Sequence, residues 1–204
     1  CRSLCRGSHT LCVAITHPEQ NANGLEASGM DVLRILPWGM QSAFAKTRPG
    51  YDAETALFNA AAVLGEKLTA CRLRQIADVV HYLDEQNGYE RVVFVGQGPG
   101  ALLALLAAAL LPKARGAALL ETQLSFDALF EADYYFAPET AFETGLLRLC
   151  DLPDLAKLAG RVCAFTPKTP AGRSLAPHTP TPIPARWEKD ALSAAAEWLE
   201  DKLC

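Results

Sequence analysis

The chain has 204 residues, half of them apolar, 21% charged and 8% aromatic, with a formal net charge of −4. One α/β domain of about 200–250 residues accounts for that length, and the apolar share excludes a disordered or tail-like protein. The acidic balance, without a Lys/Arg cluster, speaks against nucleic acid as the main partner. The longest apolar run, Ala101 to Leu111, falls well short of the ~20 residues that span a bilayer. The expectation is a soluble globular domain with no membrane span, cytoplasmic or secreted within a longer precursor.

Thr10 to Thr16 is a continuous apolar run, as a strand buried on both faces requires. A polar stretch from His17 to Gly29 leads to a second strand, Asp31 to Leu36, which Pro37 stops. The Ala/Leu/Glu content of 52–67 favours a helix. Thr69 to Asn87 predicts a longer one, with Ala70, Leu73, Ala77, Val80 and Leu83 as its apolar stripe and Gly88 as its stop. A third strand, Arg91 to Val95, runs through a glycine-dense turn into an Ala/Leu helix that ends near Leu111. Gly116 to Leu120 and Arg161 to Phe165 read as a fourth and a fifth strand. Six of the 13 prolines lie between Pro167 and Pro184, which makes 167–184 an extended loop. The last element, 186–203, reads as an amphipathic helix with Trp187, Ala191, Ala195, Trp198 and Leu199 inward. Strands alternating with helices predict an α/β fold, a three-layer sandwich whose mainly parallel five-stranded sheet carries helices on both faces.

Seven cysteines stand at 1, 5, 12, 71, 150, 163 and 204. Their odd count leaves a thiol unpaired, and no C-x-x-C pair occurs. Cys12 and Cys163 fall inside apolar strands, where cysteine serves as a small hydrophobe. Cys1, Cys5, His9 and Cys12 match no zinc module, so no metal is expected.

The informative residues are Gly96, Gln97, Gly98, Pro99 and Gly100, a turn that suits two mechanisms. It could cradle a pyrophosphate at a helix N-terminus, with Gly96, Gly98 and Ala101 as the fingerprint and Glu121 as the acidic ribose ligand. Such a fingerprint opens its domain, whereas this strand is third in the chain, so no dinucleotide or other cofactor is expected. Alternatively the turn is a nucleophile elbow, G-x-S-x-G, with Gly96 and Gly100 flanking position 98.

The elbow has company: helix 69–87 with Arg72 and Asp78, Gly88-Tyr-Glu-Arg91, Trp38-Gly39, Asp151-Leu-Pro-Asp-Leu155 and the late Trp198-Leu199. Over residues 9–203 this pattern resembles the α/β-hydrolase superfamily, and within it the bacterial acetyl xylan esterase and dienelactone hydrolase-like branch. The resemblance implies a truncated α/β-hydrolase fold over 1–204, with strand order second-first-third-fourth-fifth and a lid or cap segment around 122–160. It also implies a serine at 98, a backbone N–H at 99, a histidine base, and an acid after the fifth strand. The sequence has Gly98, Pro99 and Thr166-Pro-Lys-Thr169 there, and no Asp or Glu from Arg161 to Trp187.

Glu121, where some hydrolases keep their acid, and His178, the one late histidine, are candidate remnants. Their plainer readings are a paired strand-end carboxylate and a solvated loop residue. His17 falls at the second oxyanion loop, or is a surface histidine. The expectation is a hydrolase-like fold that has lost its chemistry and acts as a structural or binding module. One alternative is an active carboxylic-ester hydrolase with a non-standard site, drawing on Lys168 or Cys163; the other is the dinucleotide reading.

Phe126, Phe130, Tyr134, Tyr135, Phe136 and Phe142 hold six of the thirteen Phe and Tyr residues. They are expected to form a ligand or partner surface over the old active-site mouth, or to pack lid helices onto the sheet, with Asp127, Glu131 and Asp133 as its solvated edge. The superfamily begins with further antiparallel strands, which implies their loss or a longer parent chain. An adjacent hydrolase domain or another protein is then the expected partner.

Overall fold

The continuous apolar runs become the middle of a sheet because each is covered on both faces. In the computed structural model, which describes residues 2–3, 9–16, 25, 29–40, 53–134 and 145–203, these runs are β2 (Thr10–Ile15), β3 (Asp31–Arg34), β4 (Arg91–Gln97), β5 (Ala114–Leu120) and β6 (Arg161–Phe165). They pair in parallel in the order β3-β2-β4-β5-β6, as expected.

The sheet nevertheless has seven strands rather than five. β1 (Arg2–Ser3) pairs antiparallel with β3, and β7 (Ala185–Arg186) pairs parallel with β6. Two residues are too few for a periodicity to reveal. Proline directly before β7 is tolerated because it sits at the sheet edge, where only the Pro184 carbonyl is used, accepting the Ala164 N–H.

Among the described residues, five α-helices flank the sheet: α1 (Ala53–Val63), α2 (Leu68–Asn87), α3 (Pro99–Leu110), α4 (Leu152–Leu158) and α5 (Ala191–Leu203). Strand residues alternate between two apolar clusters. Val13, Phe94, Leu119 and Ala164 meet α2, α3 and α4 on one face. Ala14, Val95, Ala118 and Cys163, aligned across the register, meet α5 on the other. α3 is buried on all sides from Gly100 to Ala108, which explains its unbroken Ala/Leu composition. Among the described residues, no helix is long and apolar enough to cross a membrane.

Two helices differ from expectation. α2 buries Leu68, Thr69, Arg72, Ile76, Val80 and Leu83, while Ala70 is exposed. The inward line is rotated because it includes a charge: Arg72, 2% exposed, donates from Nε to the Trp38 carbonyl and from Nη2 to Glu54, both at 2.8 Å. Gly88, at φ +65, stops the helix as predicted. α5 starts at Ala191 rather than 186, since β7 occupies 185–186 and the Asp190 carboxylate accepts from the Ser193 N–H and hydroxyl. Trp187 therefore precedes the helix, its indole N–H donating to the Leu175 carbonyl at 2.9 Å.

Candidate functional site

β4 ends at Gln97 and α3 begins at Pro99, so Gly98 alone joins strand to helix. Its backbone stands at φ +53, ψ −121, a conformation that favours glycine. The flanking glycines are sterically required. A Cβ on Gly96 would collide with the Gly100 carbonyl oxygen and come within 2.6 Å of the Ala101 Cα. A Cβ on Gly100 would collide with the Ile15 carbonyl oxygen at the end of β2. At Gly98 a Cβ would meet nothing within 4 Å. This is the geometry of an elbow whose tip faces open space.

Beside the tip lies a cavity of about 280 Å³ that Gly98 and Pro99 help to line. Ala101, Leu102 and Leu105 of α3 and Leu119 of β5 make it apolar, and Phe126 and Leu152 close one wall. The loops after β5 and β6 bring Glu121, Thr122, Gln123, Lys168 and Thr169 to it. Asp151 fixes the wall: its carboxylate accepts from the Ser125 hydroxyl and the Phe126 N–H, and caps α4 reciprocally with Asp154.

No family model and no curated protein matches the chain. Solved structures do. A cold-adapted esterase from an Arctic intertidal metagenomic library matches over 97% of this chain and 83% of its own, at 14% identity, with TM-scores of 0.58 zinc-bound and 0.57 native. Est1E from Butyrivibrio proteoclasticus, bound to ferulic acid, matches over 98% and 91% at 12% identity with a TM-score of 0.55. The fold is esterase-like.

Within this esterase-like fold Glu121 follows β5 at φ +50 and lines the cavity, with the Gln97 amide at 3.4 Å from its carboxylate. Among the described residues the partner of its carboxylate is that amide rather than a cation. Lys168 lines the cavity too, its N–H donating to the Thr122 carbonyl. His178 is exposed, at φ +72, and is not part of the lining. Cys163 is buried on the α5 face of the sheet, away from the cavity, and burial pushes its thiol up to about 11 despite the opposing charge of Arg186. It cannot serve the cavity as a nucleophile.

Phe126 is buried, whereas Phe130 and Tyr134 are exposed, as are Asp127, Glu131 and Asp133. His17, Tyr135, Phe136, Phe142, Cys1 and Cys5 lie outside the described residues. Cys12 is buried in β2, His9 is exposed, and no three metal-ligating side chains gather among the described residues.

The one-residue joint leaves no loop to wrap a pyrophosphate, and Pro99 removes the first helical N–H; both weigh against the fingerprint reading of Gly96, Gly98 and Ala101. Leu152 and Thr169 fall within the segments Asp151-Leu-Pro-Asp-Leu155 and Thr166-Pro-Lys-Thr169 without a cavity role being read for them, and Thr122 and Gln123 stand outside any motif. Asp151 and Asp154, spaced as a capping box, were the available signal for Leu152; the others carry none.

Proposed function

We propose that this chain is an esterase-fold domain of the α/β-hydrolase superfamily, allied to the acetyl xylan esterase and dienelactone hydrolase-like branch, that has lost hydrolysis and binds a small ligand beside the former nucleophile position. The observation that carries the reading is the elbow itself. Its steric requirements are met at Gly96 and Gly100, yet Gly98 supplies no nucleophile and Pro99 no oxyanion N–H. His178, outside the cavity lining, supports the same reading, as does the absence of any acid from Arg161 to Trp187. What remains at the tip is an apolar cavity with a few polar groups, the usual form of a small-molecule site.

An activated acetyl ester tests this. The unmodified chain and Gly98→Ser are expected to hydrolyse it no faster than background, because a lost oxyanion donor costs about 10²–10³ in rate and no histidine among the described residues lines the cavity. Gly98→Ser with Pro99→Leu restores the donor, so a weak gain that rises with pH is expected. Robust turnover by the unmodified chain, abolished by Glu121→Gln or His178→Ala, would refute the reading.

A further inference from the structure

We infer that the cavity takes a small zwitterion with an apolar side chain, of the class of free leucine or phenylalanine, held between Lys168 and Glu121. The inference rests on reading the cavity as a binding site. Its inner part, formed by Leu102, Leu105, Leu119 and Phe126, offers no charge and suits a branched aliphatic or aromatic group. Its polar edge carries one carboxylate and one ammonium, and neither has an ion-pair partner among the described residues. Both are anchored through the backbone. The Glu121 N–H donates to the Phe165 carbonyl at 3.0 Å, and the Lys168 N–H to the Thr122 carbonyl at 2.9 Å.

Three backbone N–H groups near the tip are already committed. β4, β5 and β6 each exit through a positive-φ residue, Gly98, Glu121 and Thr166. Each of their N–H groups is already given to the next strand, to the carbonyls of Leu120, Phe165 and Arg186 at 3.0, 3.0 and 2.8 Å. Pro99 has none to give. Of the charged side chains lining the cavity, Lys168 suits an anionic head group and Glu121 a cationic one. A ligand carrying a single charge meets one attractive and one repulsive group, whereas a zwitterion satisfies both. The apolar interior then separates leucine and phenylalanine from glycine.

Titration calorimetry on the full chain decides the matter, with L-leucine and L-phenylalanine as probes and N-acetyl-L-leucine, L-leucinamide and glycine as comparators. At least one probe is expected to bind, and each comparator about 10–100-fold more weakly, the scale of one charge-assisted hydrogen bond for the two capped ligands and of one buried aliphatic side chain for glycine. Lys168→Met is expected to weaken the amino acid but not leucinamide. Glu121→Gln is expected to weaken the amino acid but not N-acetyl-leucine. No saturation by either amino acid, or N-acetyl-leucine binding as tightly as leucine, would overturn the inference. Ester turnover is read separately, so hydrolysis by the unmodified chain would sink the proposed function while failed calorimetry would sink only the zwitterion.

Discussion

Replacing Gly100 by alanine tests the elbow through its weakest tolerance. Inside a helix that change alone is favourable by about 1 kcal/mol. Here the new methyl would overlap the Ile15 carbonyl oxygen and lie 3.1 Å from both the Ile15 carbonyl carbon and Cγ2. Two of those three atoms belong to the β2 backbone, which cannot rotate away as a flexible side chain would. Overpacking of this kind costs about 1–3 kcal/mol, and a backbone collision falls at the upper end. The net loss is about 2 kcal/mol, which for 150–250 residues lowers Tm by about 4–8 °C. Gly98→Ala is the control. It meets no atom within 4 Å and carries only the strain of its φ, about 1–3 kcal/mol, less about 0.4–1 kcal/mol from a stiffer unfolded chain. Urea unfolding with an unchanged m-value would show that each change acts on stability itself. A Gly100→Ala protein as stable as the parent would refute the close seat of α3 on β2, and with it the elbow.

Two further outcomes concern buried groups. Arg72→Ala removes the cation between Glu54, whose side chain is 23% exposed, and the Trp38 carbonyl, at a cost below the ~3–5 kcal/mol of a fully buried pair; an unchanged Tm would refute the clamp. Cys163, with its thiol raised from 9.0 to about 11, holds about one thiolate per thousand thiols at pH 8. Iodoacetamide should therefore leave it unmodified in the native protein, read by mass spectrometry, and label it after unfolding. Because the folded form keeps its proton longer, this contribution to stability is full below pH 9 and is lost as pH rises toward 11. The same loss should be missing in Cys163→Ala.

Much of the sheet was legible because buried parallel strands write themselves as unbroken apolar runs with glycine or proline at their ends. β1 and β7 were not, since a two-residue edge strand is fixed by its neighbour rather than by its own side chains. The face of α2 was misread because Arg72 breaks an otherwise apolar line, and its partners Glu54 and Trp38 come from two other segments of the chain. Lys168 and Cys163 looked alike in the sequence, both near the end of β6. Position separates them: Cys163 lies within β6 on the face of Ala118 and Leu120, opposite to Leu119, whereas Lys168 lies beyond the strand in the loop that lines the cavity. The cavity was the least legible part, since Glu121 and Lys168 come together only through the parallel pairing of β5 with β6.

The sheet divides the molecule unevenly. Its cavity face carries α3 in contact with both α2 and α4, whereas α5 packs on the reverse, against β4, β5 and β6. α5 shares its apolar cluster with Leu25 and Met30 rather than with α2, α3 or α4, so its departure leaves those three helices undisturbed. Such an excursion would uncover Val95, Ala118 and Cys163 while leaving every cavity residue in place on the far side of the strands. Breathing at the back and occupancy at the front are thus mechanically decoupled by a rigid wall one strand thick.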